Sequence, residues 1–203
     1  MDDRATIFIV DDDQSVCRSL ARVLSLQGYG VRCFGSASDF LESACVDRPG
    51  CMLVDLCLPG MDGLELQRRV TELTYSIPVV FMSGHGDIPA SVRAMKQGAT
   101  DFLTKPFVEH RLLDAIAIAI EQDRRNRTEH REIERLRARV TRLTPREKQV
   151  FSEVVSGKLN KQIAATLGIT EKTVKVHRQR VMEKTQARSV AELVRIADRL
   201  PHG

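Results

Sequence analysis

The sequence predicts two domains of different class: an α/β domain built as a (βα)5 doubly wound parallel sheet, then a helical linker and a smaller all-α domain. Three observations predict it. Apolar runs suited to strands recur five times in the first 121 residues, each followed by a stretch of helical period. The formal charge then reverses: residues 1–121 hold 11 Lys/Arg against 17 Asp/Glu, a net of −6, and residues 122–203 hold 20 against 10, a net of +10. Beyond residue 142 short capped helices replace the strand signal. With 203 residues, 42% of them hydrophobic, the chain can bury a core in each domain.

The strand candidates are Thr6–Val10, Val31–Phe34, Cys51–Val54, Val79–Met82 and Asp101–Thr104. IFIV and VVFM are apolar without alternation, as strands covered on both faces must be. Ligands of such sheets bind beyond the carboxyl ends of the strands. At those ends stand Asp11 and Asp12, then Asp55, then Ser83 with Gly84, then Lys105-Pro106. Each has an ordinary reading of its own: Asp12 or Asp13 as the cap of a helix starting near Ser15, Asp55 as the start of a turn before Pro59-Gly60, Lys105 as a solvated charge. Together they place carboxylates, a hydroxyl and an ammonium around one crevice.

Three successive carboxylates, Asp11 to Asp13, call for a cation, since two of them about 4 Å apart repel by roughly 4 kcal/mol at an effective dielectric near 20. Magnesium takes oxygen ligands and commonly combines one or two carboxylates with phosphate, which suits Asp12 directly and Asp11 through water. Asp55 is then a carboxylate nucleophile able to form an aspartyl phosphate, with Lys105 and Mg2+ balancing the charge on the phosphoryl oxygens. The chain has no G-x-x-x-x-G-K-[ST] loop, so a nucleotide is not the expected donor. Asp13 matches no metal role and reads as a cap or a solvated charge.

Between Glu121 and Arg142 the sequence is dense in Arg and lacks Gly and Pro, and Ile133, Leu136, Val140 and Leu143 repeat at helical spacing. This is expected to be a helical linker packing its seam on a partner domain or a second protomer. Thr144-Pro145-Arg146-Glu147 then starts a helix with a cap, Pro at the first position and Glu at the capping-box position. That helix should end at Gly157; a second should run from near Asn160 to Gly168, and a third should follow Thr170. Two short helices around a Gly-containing turn are the pattern of a helix-turn-helix, although Ala164, Leu167, Ile169 and Val174 would be core in any bundle. The third helix decides between them. Lys172, Thr173, Lys175, His177, Arg178, Gln179 and Arg180 give it a polar, basic exterior, and Lys175, Val176 and Gln179 share a face suited to base edges in a major groove.

Composition narrows the rest. The N-terminus carries no signal or transit pattern and no apolar run reaches 18 residues, so a cytoplasmic protein without membrane contact is expected. The five Cys, at 17, 33, 45, 51 and 57, fit neither a zinc site nor a CxxC motif and read mostly as small core residues.

FIVDDD, LVDLCLPGMDG, FMSGHGD and AMKQGATDFLTKPF resemble a response-regulator receiver domain over roughly residues 4–122, and GHGDIPASVRAMKQGATDFLTKPF is similar to the FixJ branch, including regulators of the StyR kind. LTPREKQVFSEVVSGKLNKQIAATLGITEKTVKVHRQRVMEKTQARS resembles the LuxR/NarL-type DNA-binding module over about residues 142–200. The resemblance implies Asp55 as phosphoacceptor, Asp11 and Asp12 as the acid pocket, Lys105 as the phosphate-binding lysine, and a Mg2+ contact from the backbone carbonyl of Cys57. It implies Ser83 as a switch hydroxyl and Phe102 as a switch aromatic, where the residues alone leave Phe102 equally a core side chain. By position, Lys175, Val176 and Gln179 fall where that family reads bases, while Lys161, Thr173, His177 and Arg178 suit phosphate contacts. The expected protein is then a receiver at 1–122, a helical linker at 123–141 and a LuxR-type helix-turn-helix domain at 142–203. It is a transcription factor and not an enzyme, phosphorylated by a sensor histidine kinase, homodimeric when phosphorylated, and activating transcription through promoter DNA and RNA polymerase. A Mg2+-dependent phosphatase using Asp55, or a constitutive DNA-binding protein, are the rival readings.

Overall fold

A computed structural model describes residues 4–43, 48–72, 77–84 and 88–200. His85, Gly86 and Asp87 of the FMSGHGD motif, and Cys45, lie outside the described residues. The chain divides into two compact units, Met1–Arg127 and Thr128–Gly203.

The first unit alternates β1 (Thr6–Val10), α1 (Gln14–Leu26), β2 (Gly30–Phe34), α2 (Ala37–Ser43), β3 (Gly50–Asp55), α3 (Gly63–Thr71), β4 (Val79–Ser83), α4 (Ile88–Lys96), β5 (Asp101–Thr104) and α5 (Glu109–Thr141). The strands form one parallel sheet in the order β2-β1-β3-β4-β5. The order reverses between β1 and β3, which opens the crevice at the carboxyl ends of those two strands. Because side chains alternate across a strand, each strand feeds two cores. Ile7, Ile9, Cys51, Leu53, Val80 and Met82 pack with Leu20 and Leu24 of α1 and Leu112, Ile116 and Ala119 of α5. Phe8, Val10, Met52, Val54, Val79 and Phe81 pack with Phe40 of α2, Leu66 of α3 and Ala94 of α4. This two-sided burial is the reason the central strands show no polar alternation.

Gly63 lets α3 begin hard against the end of β3: a Cβ there would lie 2.6 Å from the carbonyl oxygen of Asp55 and 2.9 Å from the Phe81 ring. Two of the four described cysteines, Cys17 and Cys51, are buried, and Cys33 and Cys57 are exposed; all four are free thiols. Burial pushes the Cys17 thiol up to about 12, so it is a packing residue rather than a reactive thiolate.

The second unit contains the end of α5, then α6 (Pro145–Val155), α7 (Asn160–Leu167), α8 (Glu171–Thr185) and α9 (Val190–Arg199). Val150, Val154, Ile163, Ala164, Val174, Val181, Leu193 and Ile196 form its core, with Leu136 and Val140 of α5 packed against it. Leu136, Val140 and Leu143 of the seam expected on the linker therefore serve this core, and α5 is one helix from Glu109 to Thr141. The boundary between the units falls inside the segment 123–141 read as a linker, because Asp123 and Arg127 are buried in the first unit. α6 and α8 begin, and α7 ends, where the caps place them: Thr144 and Glu147 form a capping box, Gly168 closes α7 in the left-handed region, and the Thr170 side chain accepts from the Thr173 N–H. α9, which the sequence reading does not reach, starts at the cap of Ser189 on Glu192 N–H.

Candidate phosphoacceptor site and DNA-binding helix

Three strand ends at the carboxyl edge of the sheet bring expected side chains together. Asp11 follows β1 and is buried, Asp55 ends β3, and Lys105 follows β5. The Lys105 Nζ donates to Asp11 Oδ2 at 2.8 Å and to Asp55 Oδ2 at 2.5 Å, so one ammonium spans both carboxylates. The other carboxylate oxygens are held by backbone: Asp11 Oδ1 accepts from Asp13 N–H at 2.9 Å and Asp55 Oδ1 from Cys57 N–H at 2.9 Å. Burial lifts the Asp11 carboxyl above its ordinary value, against the lowering effect of Lys105. Burial works against the charge on Lys105 too, yet the carboxylates that accept from it outweigh burial and raise its pKa.

Asp12 is exposed beside this trio, and Asp13 is the cap of α1, its Oδ1 accepting from Ser15 N–H at 2.7 Å. Ser83, the last residue of β4, is buried; its backbone oxygen accepts from Lys105 N–H at 2.7 Å, which ties the ends of β4 and β5. Phe102 is half-buried on the face that carries α2, α3 and α4, with its ring 6.4 Å from that of Phe81. Phe102 and Ser83 thus share a sheet face, since their register partners are Phe81 and Thr104. Among the described residues no three His, Cys, Asp or Glu side chains are gathered closely enough to hold a metal ion as they stand. The oxygen donors nevertheless have the chemistry a hard cation takes, two carboxylates already drawn to one point and a third exposed beside them.

In the second unit α7 and α8 are joined by Gly168, Ile169 and Thr170, with Ile169 N–H donating to Ala164 O. The pair is braced from α6. Arg146 Nη2 donates to Leu167 O at 2.6 Å at the end of α7, and Glu147 receives Lys184 Nζ of α8 at 2.6 Å. The Lys184 ammonium, with the Thr144 backbone N–H, holds the Glu147 carboxyl down at about 2. Val174 and Val181 anchor α8 in the core, which leaves Lys175, Val176 and Gln179 exposed on the opposite side. Gln179 Nε2 donates to Glu183 Oε1 at 2.9 Å. Lys161 is exposed on α7, while Thr173, His177 and Arg178 are half-buried at the flank of α8. His177 turns its Nδ1 inward, and Arg178 Nη1 donates to Asn160 Oδ1 at 2.8 Å. Asn160, as the orienting partner of Arg178, is absent from the sequence reading; nothing in the spacing of two residues 18 apart reveals their contact.

Residues 7–117 match the model of the response regulator receiver domain, and residues 141–197 match that of bacterial regulatory proteins of the luxR family. The chain belongs to the response regulators with a LuxR-type DNA-binding domain. Among relatives of this response regulator, Nodulation protein W of Bradyrhizobium diazoefficiens is 45% identical over 97% of this chain and 87% of its own length. The transcriptional regulatory protein FixJ of Rhizobium meliloti is 43% identical over 95% of this chain and 94% of its own. The solved structure of the response regulator StyR is 45% identical, with a TM-score of 0.79 over 96% of this chain and 98% of that one. The family is one of transcriptional response regulators, which are not typically enzymes. Receiver domains generally bind Mg2+ at the phosphorylation site, and the domain pair implies a sensor kinase and DNA as partners. Among the described residues no helix is long and apolar enough to cross a membrane.

Proposed function

We propose that a sensor histidine kinase phosphorylates Asp55, and that the phosphorylated protein dimerises and binds promoter DNA to activate transcription through RNA polymerase in the cytoplasm. The observation that carries this reading is Lys105 spanning Asp11 and Asp55, in a chain whose other unit exposes a basic helix. Asp11, Asp12, Asp55 and the Cys57 carbonyl would hold Mg2+, which when bound supplies positive charge to the phosphoryl oxygens. Asp55 is the nucleophile. Lys105, already beside Asp55, follows the transferred group as its charge develops, and Cys57 N–H keeps one carboxylate oxygen oriented. Ser83 turns toward the new phosphoryl group and Phe102 follows it inward, which reshapes the surface of β4, α4 and β5.

On DNA, Lys175, Val176 and Gln179 read base edges, and Lys161, Thr173, His177 and Arg178 contact phosphates. A receiver with the acidic character of residues 1–121 competes with DNA for the basic module until phosphorylation engages it with a second receiver. The test is labelling with an acyl phosphate, paired with DNA binding. Asp55→Asn is expected to abolish labelling without unfolding the chain and to bind promoter DNA weakly, and Asp12→Ala to lose Mg2+ binding and labelling together. A phosphorylated residue other than Asp55, or turnover of small phosphate esters, defeats the reading.

A further inference from the structure

The buried face of α5 runs Leu112, Ala115, Ile116, Ala119, Ile120 and then, on the same stripe, Asp123 and Arg127. The last two positions are ionic, yet Asp123 is 0% exposed and Arg127 9%. Asp123 Oδ2 accepts from Arg127 Nε at 2.7 Å and from the backbone N–H of Gly50 at 3.0 Å. Gly50 is the first residue of β3 and Asp55 is the last.

We propose that this buried Asp123–Arg127 pair, bonded to the start of β3, is a positioning clasp that couples the phosphoacceptor strand to α5. Four features support it. β3 is central, paired to β1 and β4, and Gly50 to Val54 are all buried, so the strand has no slack between the clasp and Asp55. The clasp end is tight: a Cβ on Gly50 would lie 2.0 Å from Thr6 O. A well-packed apolar pair would stabilise this position as well as or better than an ion pair, whereas a charged pair with a shared acceptor fixes one rotation of the helix about its axis. Finally, Arg127 is the last residue of the first unit, and α5 continues without a break to Thr141. The clasp therefore sets the rotation of α5 at the point where it passes out of the receiver.

The coupling rests on the phosphorylation reading above, and the full-length protein tests both together. Arg127→Met keeps an apolar stem in place of the side chain's methylenes and removes its charge; Arg127→Lys restores the charge. The readouts are acyl-phosphate labelling of Asp55, hydrogen exchange of the α5 amides around Asp123, and the ratio of DNA affinity with and without phosphorylation. In Arg127→Met, labelling stays within about twofold of the parent, exchange around Asp123 accelerates at least about tenfold, and the affinity ratio falls to within about twofold of one. Arg127→Lys recovers the ratio in part. A parent whose ratio is above one and an Arg127→Met protein with the same ratio overturn the clasp alone. A parent that labels without any gain in DNA affinity overturns the phosphorylation reading and the clasp with it. Loss of labelling in Arg127→Met also overturns the clasp, because the pair then serves the receiver fold rather than its output.

Discussion

The receiver and the DNA-binding unit hold their functional side chains in opposite ways. In the crevice Asp11, Asp55 and Lys105 come from the ends of three strands, are largely buried, and are fastened to one another. On α8 the exposed Lys175, Val176 and Gln179 come from one helix, and what is fastened is the helix beneath them, through Val174, Val181 and the Lys184–Glu147 bridge. Phosphoryl chemistry needs charges converging on one atom, which only long-range topology supplies. Groove reading needs a rod with an open face, which local helix rules supply. Substitution in the crevice should therefore change chemistry first, and substitution around α8 should change either sequence preference or stability, depending on which side of the helix it strikes.

The largest break in that contrast is expected at Lys105. Lys105→Ala leaves two carboxylates facing each other and removes the cation from the developing phosphoryl charge, so the rate of acyl-phosphate labelling should fall by about 10²–10³. DNA binding by the unphosphorylated chain should not change. A labelling rate within a few-fold of the parent would show that the ammonium serves only to neutralise the acids.

Lys175 and Lys161 test the other side. Lys175→Ala should alter which base is preferred at one operator position, a discrimination of about 1–3 kcal/mol. Lys161→Ala should weaken specific and non-specific DNA alike and reduce the slope of log affinity against log salt by about 0.9. Selection of bound sequences, and titrations at several salt concentrations, separate the two. Equal base preferences in Lys175→Ala and the parent would remove Lys175 from the reading face.

Glu147 lies between these cases, because it is buried yet serves only the scaffold. Its carboxyl is held at about 2 in the folded chain against an ordinary 4.5, so its contribution is fully present above pH 4.5 and is lost as pH falls toward 2. Glu147→Gln should cost the second unit about 1 kcal/mol at neutral pH, the loss of an ion pair discounted for the partial exposure of Lys184, since Gln can still accept from the Thr144 N–H. The cost should vanish in acid. Denaturation followed by circular dichroism at two pH values measures it.

The same contrast explains what could be read in advance. Helix caps are local, so Thr144, Gly168 and Thr170 show the ends of α6, α7 and α8 directly in the sequence. The five strands are legible from their apolar runs, but β2 and β3 each begin one residue early, at Gly30 and Gly50. Glycine argues against a strand until the close approach of Thr6 is known. The crevice is legible because the parallel topology puts every strand end on one edge. Asp123 and Arg127 are not: charged residues on a helix are ordinarily solvated, and nothing local reveals the bond of Asp123 to the start of β3, 73 residues away. Asn160 and Arg178 escape for the same reason, as does Glu132, which meets Arg199 at 2.7 Å.

The smallest expected effect concerns Asp13, the third of the consecutive carboxylates. Asp11 before it is bonded to Lys105, but the oxygen of Asp13 accepts from Ser15 N–H at the start of α1, and that bond holds its carboxyl below the usual value. The depressed pKa means that its cap stabilises at neutral pH and weakens as pH falls below the ordinary carboxylate range. Asp13→Asn keeps an oxygen in place and should melt with the parent, while Asp13→Ala should lower the melting temperature by a few degrees at most. Neither should change acyl-phosphate labelling by more than about twofold, since Asp13 points its charge at the helix and reaches Asp11 only through its backbone N–H. A large loss of labelling in Asp13→Asn, with melting unchanged, would move Asp13 into the crevice. The division between residues that do chemistry and residues that shape helices would then fail at the place in the chain where the two kinds stand side by side.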